Sequence, residues 1–268
     1  FLENPQCLQE IATGAGKTII TATLSQLVQK YGRSIVIVPN KSLVTQTEAD
    51  YKTLGLDVGV YYGERKEFDK QHTVCTWQSL NNMLKKTKKF EAEVNIGDFL
   101  EGVVCVMVDE VHQAKADVLK TLLTGPFATV PLRWGLTGTI PKEDFEMASL
   151  QASLGEVINK LSASELQDRG VLANCHVNVI QTQETNAFST YAGEQTYLVT
   201  NDTRLQFIAD LVDTMRAEGN TLILVDRIKT GQALEEIIVD SVFIQGRTKL
   251  EDREEEYDEI ATEQHKVI

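Results

Sequence analysis

Six consecutive apolar residues, Val103-Val104-Cys105-Val106-Met107-Val108, run directly into the carboxylates of Asp109 and Glu110. A run this short and this apolar reads as a strand buried on both faces, the situation of a parallel sheet covered by helices on either side. Ile35-Val36-Ile37-Val38 is a second run of the same kind. With 103–109 and 34–38, the segments 7–11, 58–62, 72–76 and 133–137 make six strand candidates. Helical patterns lie between them at 17–31, 41–54, 78–86 and 116–123. Strands alternating with helices predict an α/β fold built on a doubly wound parallel sheet.

At 268 residues the chain has room for one large domain or two smaller ones. A second unit is expected after residue 161. It opens with a short helix over 163–169 and a strand-like alternation at 176–181. A helix over 201–218 follows, capped by Asn201 or Asp202 and ended by Gly219. Then come a strand at 221–226, a helix over 230–238, a strand at 241–245, a helix over 250–263 and a last strand from Lys266. Phe1 opens the chain in mid-sequence, without a signal peptide, and the chain stops inside a strand. The expectation is therefore a piece of a longer, cytoplasmic protein, with the edge of the first domain missing and the second domain truncated.

The four cysteines are scattered and three sit in strand-like runs, which fits small buried hydrophobes better than disulfides or metal ligands. A net charge of −13 argues against a nucleic-acid-binding protein, because proteins that bind nucleic acid by neutralising its phosphates usually carry a basic face. The dense basic run Lys85, Lys86, Lys88 and Lys89 reads as a solvated helix end. A chain that grips a strand through backbone amides and short polar side chains can still be acidic overall.

The sharpest local chemistry is Ala12-Thr13-Gly14-Ala15-Gly16-Lys17-Thr18, placed after a strand and opening a helix. Gly14 and Gly16 let successive N–H groups turn toward phosphate oxygens, and the helix N-terminus adds its positive dipole end. Lys17 has the reach for β- and γ-phosphates, and the Thr18 hydroxyl suits Mg²⁺. Ile11 stands where the general pattern has its first glycine. About ninety residues downstream, Asp109-Glu110-Val111-His112 closes the most apolar strand. Carboxylates at the carboxyl end of a parallel strand point into the ligand crevice. Asp109 suits a metal held through water, and Glu110 suits activation of the attacking water. ATP and Mg²⁺ are the cofactors these two motifs call for.

With those motifs in that order, the chain resembles the superfamily 2 helicases and translocases of the DExH kind, and within them the phage UvsW-type DNA helicases of recombination and fork remodelling. The resemblance implies tandem RecA-like domains, 1–161 and 162–268, acting as an ATP-dependent DNA motor. By it, Val38-Pro39-Asn40-Lys41-Ser42-Leu43 with Gln46, and Thr76-Trp77-Gln78-Ser79-Leu80, are similar to segments that contact the nucleic-acid backbone. Pro39, Asn40, Gln46, Thr76 and Gln78 are the contact candidates, and Trp77 reads more readily as core. Leu136-Thr137-Gly138-Thr139 is similar to the motif that couples hydrolysis to movement. His112 would bridge the nucleotide to it, although a lone histidine could merely cap the loop. Arg253 could face the cleft, yet it sits in a run of charges typical of a solvated helix. Later family motifs, including arginine fingers, would lie beyond Ile268, so this stretch alone is expected to hydrolyse ATP barely at all. A restriction-system motor subunit shares every one of these motifs. A non-catalytic ATP-gated module would have no need of Glu110, and a small-molecule kinase would not predict the Thr-Trp-Gln or Gly-Leu-Thr-Gly-Thr segments.

Overall fold

The computed structural model describes residues 1, 3–113, 116–183, 186–248, 259, 262 and 265–268. They form two compact units, Phe1–Val177 and Asn178–Ile268.

The first unit is built on eight strands: β1 (Gln6–Ile11), β2 (Arg33–Val38), β3 (Val58–Tyr62), β4 (Arg65–Lys66), β5 (His72–Thr76), β6 (Val103–Val108), β7 (Leu132–Thr137) and β8 (Val157–Leu161). Their order across the sheet is β4-β3-β5-β2-β6-β7-β1-β8. Every pairing is parallel except the β3–β4 hairpin. The six expected strands are all present, within a residue or two at each end. β8 is an addition, and its sequence, Val-Ile-Asn-Lys-Leu, explains why: it is an edge strand with three exposed positions and no apolar run.

The helices are α1 (Lys17–Val28), α2 (Lys41–Thr53), α3 (Trp77–Lys88), α4 (Ile96–Leu100), α5 (Ala116–Thr124), α6 (Asp144–Leu154) and α7 (Ala163–Asp168). Alternation along each strand divides the core in two. Cys7, Val36, Val38, Cys105, Met107 and Trp134 pack on one face with Ala22, Leu24 and Val28 of α1. Leu8, Ile35, Ile37, Val106 and Val108 pack on the other with Leu80 and Met83 of α3 and Leu119 and Leu122 of α5. Both faces are covered, so the central strands are mostly apolar, and the polar positions they do bury include Gln9, Ser34, His72, Thr73 and Thr137. Each fully buried side chain of this size contributes roughly 1.5–3 kcal/mol. The parallel arrangement brings the carboxyl ends of β1, β2, β5, β6 and β7 to one edge of the sheet, where the connecting loops gather.

The second unit carries α8 (Tyr191–Thr200), α9 (Asp202–Arg216) and α10 (Ile228–Ile237) over a small core of Leu205, Ala209, Val212, Leu234, Ile238 and Val267. The Asn201 side chain caps α9 by accepting from the backbone N–H of Arg204. The strands expected at 221–226, at 241–245 and from Lys266 reduce to two isolated parallel bridges, Thr221 and Ser241 each pairing with Val267. The strand expected at 176–181 is not formed. Val177, Val179 and Ile180 alternate with polar residues but remain exposed, because no neighbouring strand pairs with them. Of the helix expected over 250–263, only Glu259 and Thr262 are described, both helical, and Arg253 lies outside the described residues. Among the described residues no helix is long and apolar enough to cross a membrane.

Candidate nucleotide and nucleic-acid site

The loop between β1 and α1 turns tightly. Ala12 donates to the Leu161 carbonyl at 2.9 Å, and Ala15 donates back to Ala12 at 3.3 Å. Gly14 and Gly16 hold φ of 81° and 82°, left-handed conformations that a side chain would strain. Gly16 is the N-cap of α1 and supplies no side-chain cap, and the first turn holds no acidic residue. The N–H groups of that turn are thus left to an external acceptor, at the positive end of the helix dipole. Ile11 lies within β1, outside the left-handed region, and is buried, so its position asks for no glycine.

Lys17 is only 7% exposed, and its Nζ sits 2.9 Å from Glu110 Oε1. Glu110 has a φ of 48°, rare for a residue with a side chain. That bend follows β6 directly and leads into a short helical turn, Val111–Gln113. The neighbouring Asp109 is bound at its Oδ1 by the Glu110 N–H at 2.9 Å. Burial raises the Asp109 pKa to about 6, helped by the charge of Glu110 and opposed by Lys17.

His112 Nδ1 lies 2.7 Å from Thr137 Oγ1 and 3.5 Å from Glu110 Oε2. The Thr137 hydroxyl donates to the Thr139 carbonyl at 2.8 Å and accepts from the Thr139 N–H at 3.2 Å. With its one hydrogen committed there, Thr137 can only accept from His112, so the hydrogen-bond pattern assigns the proton to Nδ1. Gly138 follows in the same turn. A β-carbon there would stand 3.0 Å from Thr13 Oγ1 and 3.3 Å from Thr13 N. The structure therefore brings Thr13, Gly14, Ala15, Gly16, Lys17, Thr18, Asp109, Glu110, His112, Thr137, Gly138 and Thr139 to one end of the sheet. A phosphate ester fits the orphan amides and Lys17. A hard, oxygen-loving cation fits the Thr18 hydroxyl with the half-buried Asp109 carboxylate.

The other candidates separate. Asn40 and Gln78 are exposed, as is Gln46. Asn40 caps α2 by accepting from Leu43 N–H at 3.0 Å. Gln78 Nε2 donates to the Pro39 carbonyl at 3.1 Å, tying the two loops together. Pro39 and Thr76 are buried, and the Thr76 hydroxyl caps α3 through Ser79. Trp77 packs against the core. Leu172 is a residue the sequence did not single out. Its Cδ2 lies 2.8 Å from where a β-carbon on Gly14 would be, so it covers the phosphate loop. No local signal in the sequence marks a leucine beyond α7 for that role.

The family model described as "Type III restriction enzyme, res subunit" matches residues 3–142, just over half of the chain. No curated protein matches the sequence. Among solved structures, the DUF1998 helicase MrfA bound to DNA superposes with a TM-score of 0.65 at 11% identity, covering 100% of this chain and 40% of that one. Saccharomyces cerevisiae Dbp5, bound to RNA and ADP BeF3, gives 0.57 at 13% identity, covering 98% and 65%. UvsW of bacteriophage T4 gives 0.49 at 17% identity, covering 99% and 54%, too low a score to single out a branch. The chain thus spans less than two thirds of each of these proteins. The fold is that of RecA-like helicase domains, as the resemblance implied.

Proposed function

The chain belongs to the family of the type III restriction enzyme res subunit, and from that premise we propose that it is a nucleic-acid-dependent ATPase, the motor of a DNA helicase or translocase. One arrangement carries this reading: Glu110 contacts Lys17 at 2.9 Å on one side, and on the other approaches His112, which is bonded to Thr137. A phosphate-reading lysine, a water-activating carboxylate and a coupling turn are thereby joined in one chain of contacts. A module that merely bound ATP would gain nothing from that carboxylate.

In this reading the α1 amides and Lys17 bind the β- and γ-phosphates. Glu110 leaves Lys17 to the phosphate and takes a proton from the attacking water. Thr18 and Asp109 would hold Mg²⁺, which supplies charge neutralisation at the phosphates. His112 reports the occupancy of the site to Thr137–Thr139. The exposed Asn40, Gln46 and Gln78, with backbone around Pro39 and Thr76, contact the phosphodiester backbone and so bind nearly independently of sequence. Residues 1–161 act as the first motor domain, and 162–268 as the linker and a second RecA-like domain.

DNA is the proposed polymer, on the sequence likeness to DNA-remodelling helicases, in recombination or repair of branched DNA. A second reading, the motor of a restriction enzyme, is favoured by the description of the matching family. The test is steady-state ATP hydrolysis by the full-length protein, with and without single-stranded DNA, forked DNA and RNA, beside Glu110→Gln. Stimulation by DNA that the substitution abolishes supports the motor. Nucleotide binding with no response to any nucleic acid sinks it.

A further inference from the structure

We propose a second nucleic-acid contact on the first unit, apart from the nucleotide site: a basic groove between the β3–β4 hairpin and α3 that takes a single strand, with Phe90 stacking on one of its bases. The inference rests on the reading of the chain as a nucleic-acid motor.

The groove has a volume of about 390 Å³. Lys66 of the hairpin lines one wall, its ammonium 4.5 Å above the Tyr61 ring. Lys85 and Lys86 line the other, with Ser79 and Asn82 between, and Glu93 is the one carboxylate. Three cations against one anion is a sharp local contrast in a chain of net charge −13. Among the described residues none of Lys85, Lys86, Lys88 and Lys89 is ion-paired. A solvated helix end would account for the lysines alone, since cations there favour the helix dipole.

Phe90 is what that account leaves over. α3 ends in a Schellman arrangement: Glu91 N–H bonds the Lys86 carbonyl at 2.9 Å, and Phe90 N–H bonds Thr87 at 3.1 Å. The residue at the left-handed position of that motif is usually glycine or asparagine. Here it is Phe90, with φ of 58° and 98% exposed. An aromatic ring in a disfavoured backbone conformation, burying nothing, is unexplained by folding. Phe90 stands outside the lining of the groove and directly follows the unpaired Lys88 and Lys89, and a flat apolar face beside cations is what an unstacked base and its phosphates recognise. The groove also begins next to the candidate contact segment, because Ser79 bonds the Thr76 hydroxyl that caps α3. From Ser79 to Lys86 the helix rises about 10 Å, so a strand crossing Gln78 meets the lysines next.

The experiment uses the full chain and a fluorescein-labelled oligothymidine, followed by anisotropy across a salt titration. Wild type is compared with Lys85→Ala/Lys86→Ala and with Phe90→Gly. The double variant is expected to bind at least tenfold more weakly at low salt, with the slope of log affinity against log salt reduced by about 1.4, the share of two single-strand phosphates. Phe90→Gly is expected to weaken binding about five- to fiftyfold with the salt slope unchanged and an equal or higher Tm, which a structural role would not produce. Basal ATP hydrolysis without DNA stays at the wild-type level in both. Wild-type affinity and slope in the double variant overturn the proposal, as does unchanged affinity in Phe90→Gly. A wild-type chain that binds no oligonucleotide overturns the motor reading as well, whereas strong binding indifferent to these variants removes the groove alone.

Discussion

His112 Nδ1 and Thr137 Oγ1 stand 2.7 Å apart across 25 residues of sequence, joining the turn after β6 to the turn after β7. Their bond is the shortest physical route from Glu110 to the Thr137–Thr139 turn. Thr137→Val keeps the shape of the side chain and removes the acceptor. The net contribution of such a hydrogen bond is about 0.5–1.5 kcal/mol, so DNA stimulation of turnover should fall roughly two- to tenfold. Basal hydrolysis should stay within about threefold of wild type. Thr137→Ser should restore stimulation, and equal loss of basal and stimulated rates would show that the bond does not couple them.

Gly138 and Gly16 separate a clash from a strained backbone. Alanine at 138 would press on Thr13 Oγ1 at 3.0 Å, whereas alanine at 16 would meet nothing within 4 Å but would adopt φ of 82°. Gly138→Ala should weaken ATP binding about three- to tenfold with a small change in Tm. Gly16→Ala should cost about 1–2 kcal/mol of stability. Nucleotide titration and thermal denaturation of both variants decide it, and a Gly138→Ala chain with wild-type ATP affinity would contradict the first expectation.

Asp109 opposes folding at neutral pH. Its pKa is raised to about 6, first by burial and then by the Glu110 charge. The folded chain therefore binds more protons than the unfolded one between about pH 4 and 6. That contribution favours the fold below about pH 4 and is lost as pH rises through 6. Asp109→Asn should thus stabilise the chain at pH 7.5, by about 1–2 kcal/mol, while abolishing Mg²⁺-dependent nucleotide binding. A lower Tm at that pH would refute the sign.

His72 acts in the opposite direction. It is fully buried, and its Nδ1 lies 2.8 Å from Ser34 Oγ in a chain that continues through Ser25 to Tyr51. Burial lowers its pKa from 6.5 to about 4, with Asp57 opposing. The unfolded chain then binds more protons between pH 6.5 and 4, so stability falls as pH drops through that window, by roughly 3 kcal/mol at most. Denaturant midpoints from pH 7.5 to 4.5 measure this. In His72→Gln the slope assigned to this group should vanish, and an unchanged slope would place the titration elsewhere.

Much of the first unit was legible in the sequence because its signals are local. A strand buried on both faces is mostly apolar, and the runs Ile35–Val38 and Val103–Val108 gave β2 and β6 almost to the residue. The tight turn after β1 was equally legible, since left-handed backbone at Gly14 and Gly16 asks for glycine. What stayed hidden depends on partners far along the chain. β8 carries no apolar run because it lies at an edge. The alternation at 176–181 looks like a strand and is none, because a strand exists only with a neighbour. Pro39 and Thr76 were nucleic-acid contact candidates by sequence and are buried by packing.

The sequence by itself determined which segments could be strands and which residues could meet phosphate, since hydrophobic periodicity and side-chain chemistry act over a few residues. Only the tertiary structure decided that Glu110 would face Lys17, that Gly138 would leave no room for a β-carbon beside Thr13, that Leu172 would approach Gly14, and that Phe90 would stand bare. Those relations arise where the parallel sheet brings separate loops to one edge, or where a helix end meets a hairpin, and no short-range rule encodes distances between segments so far apart.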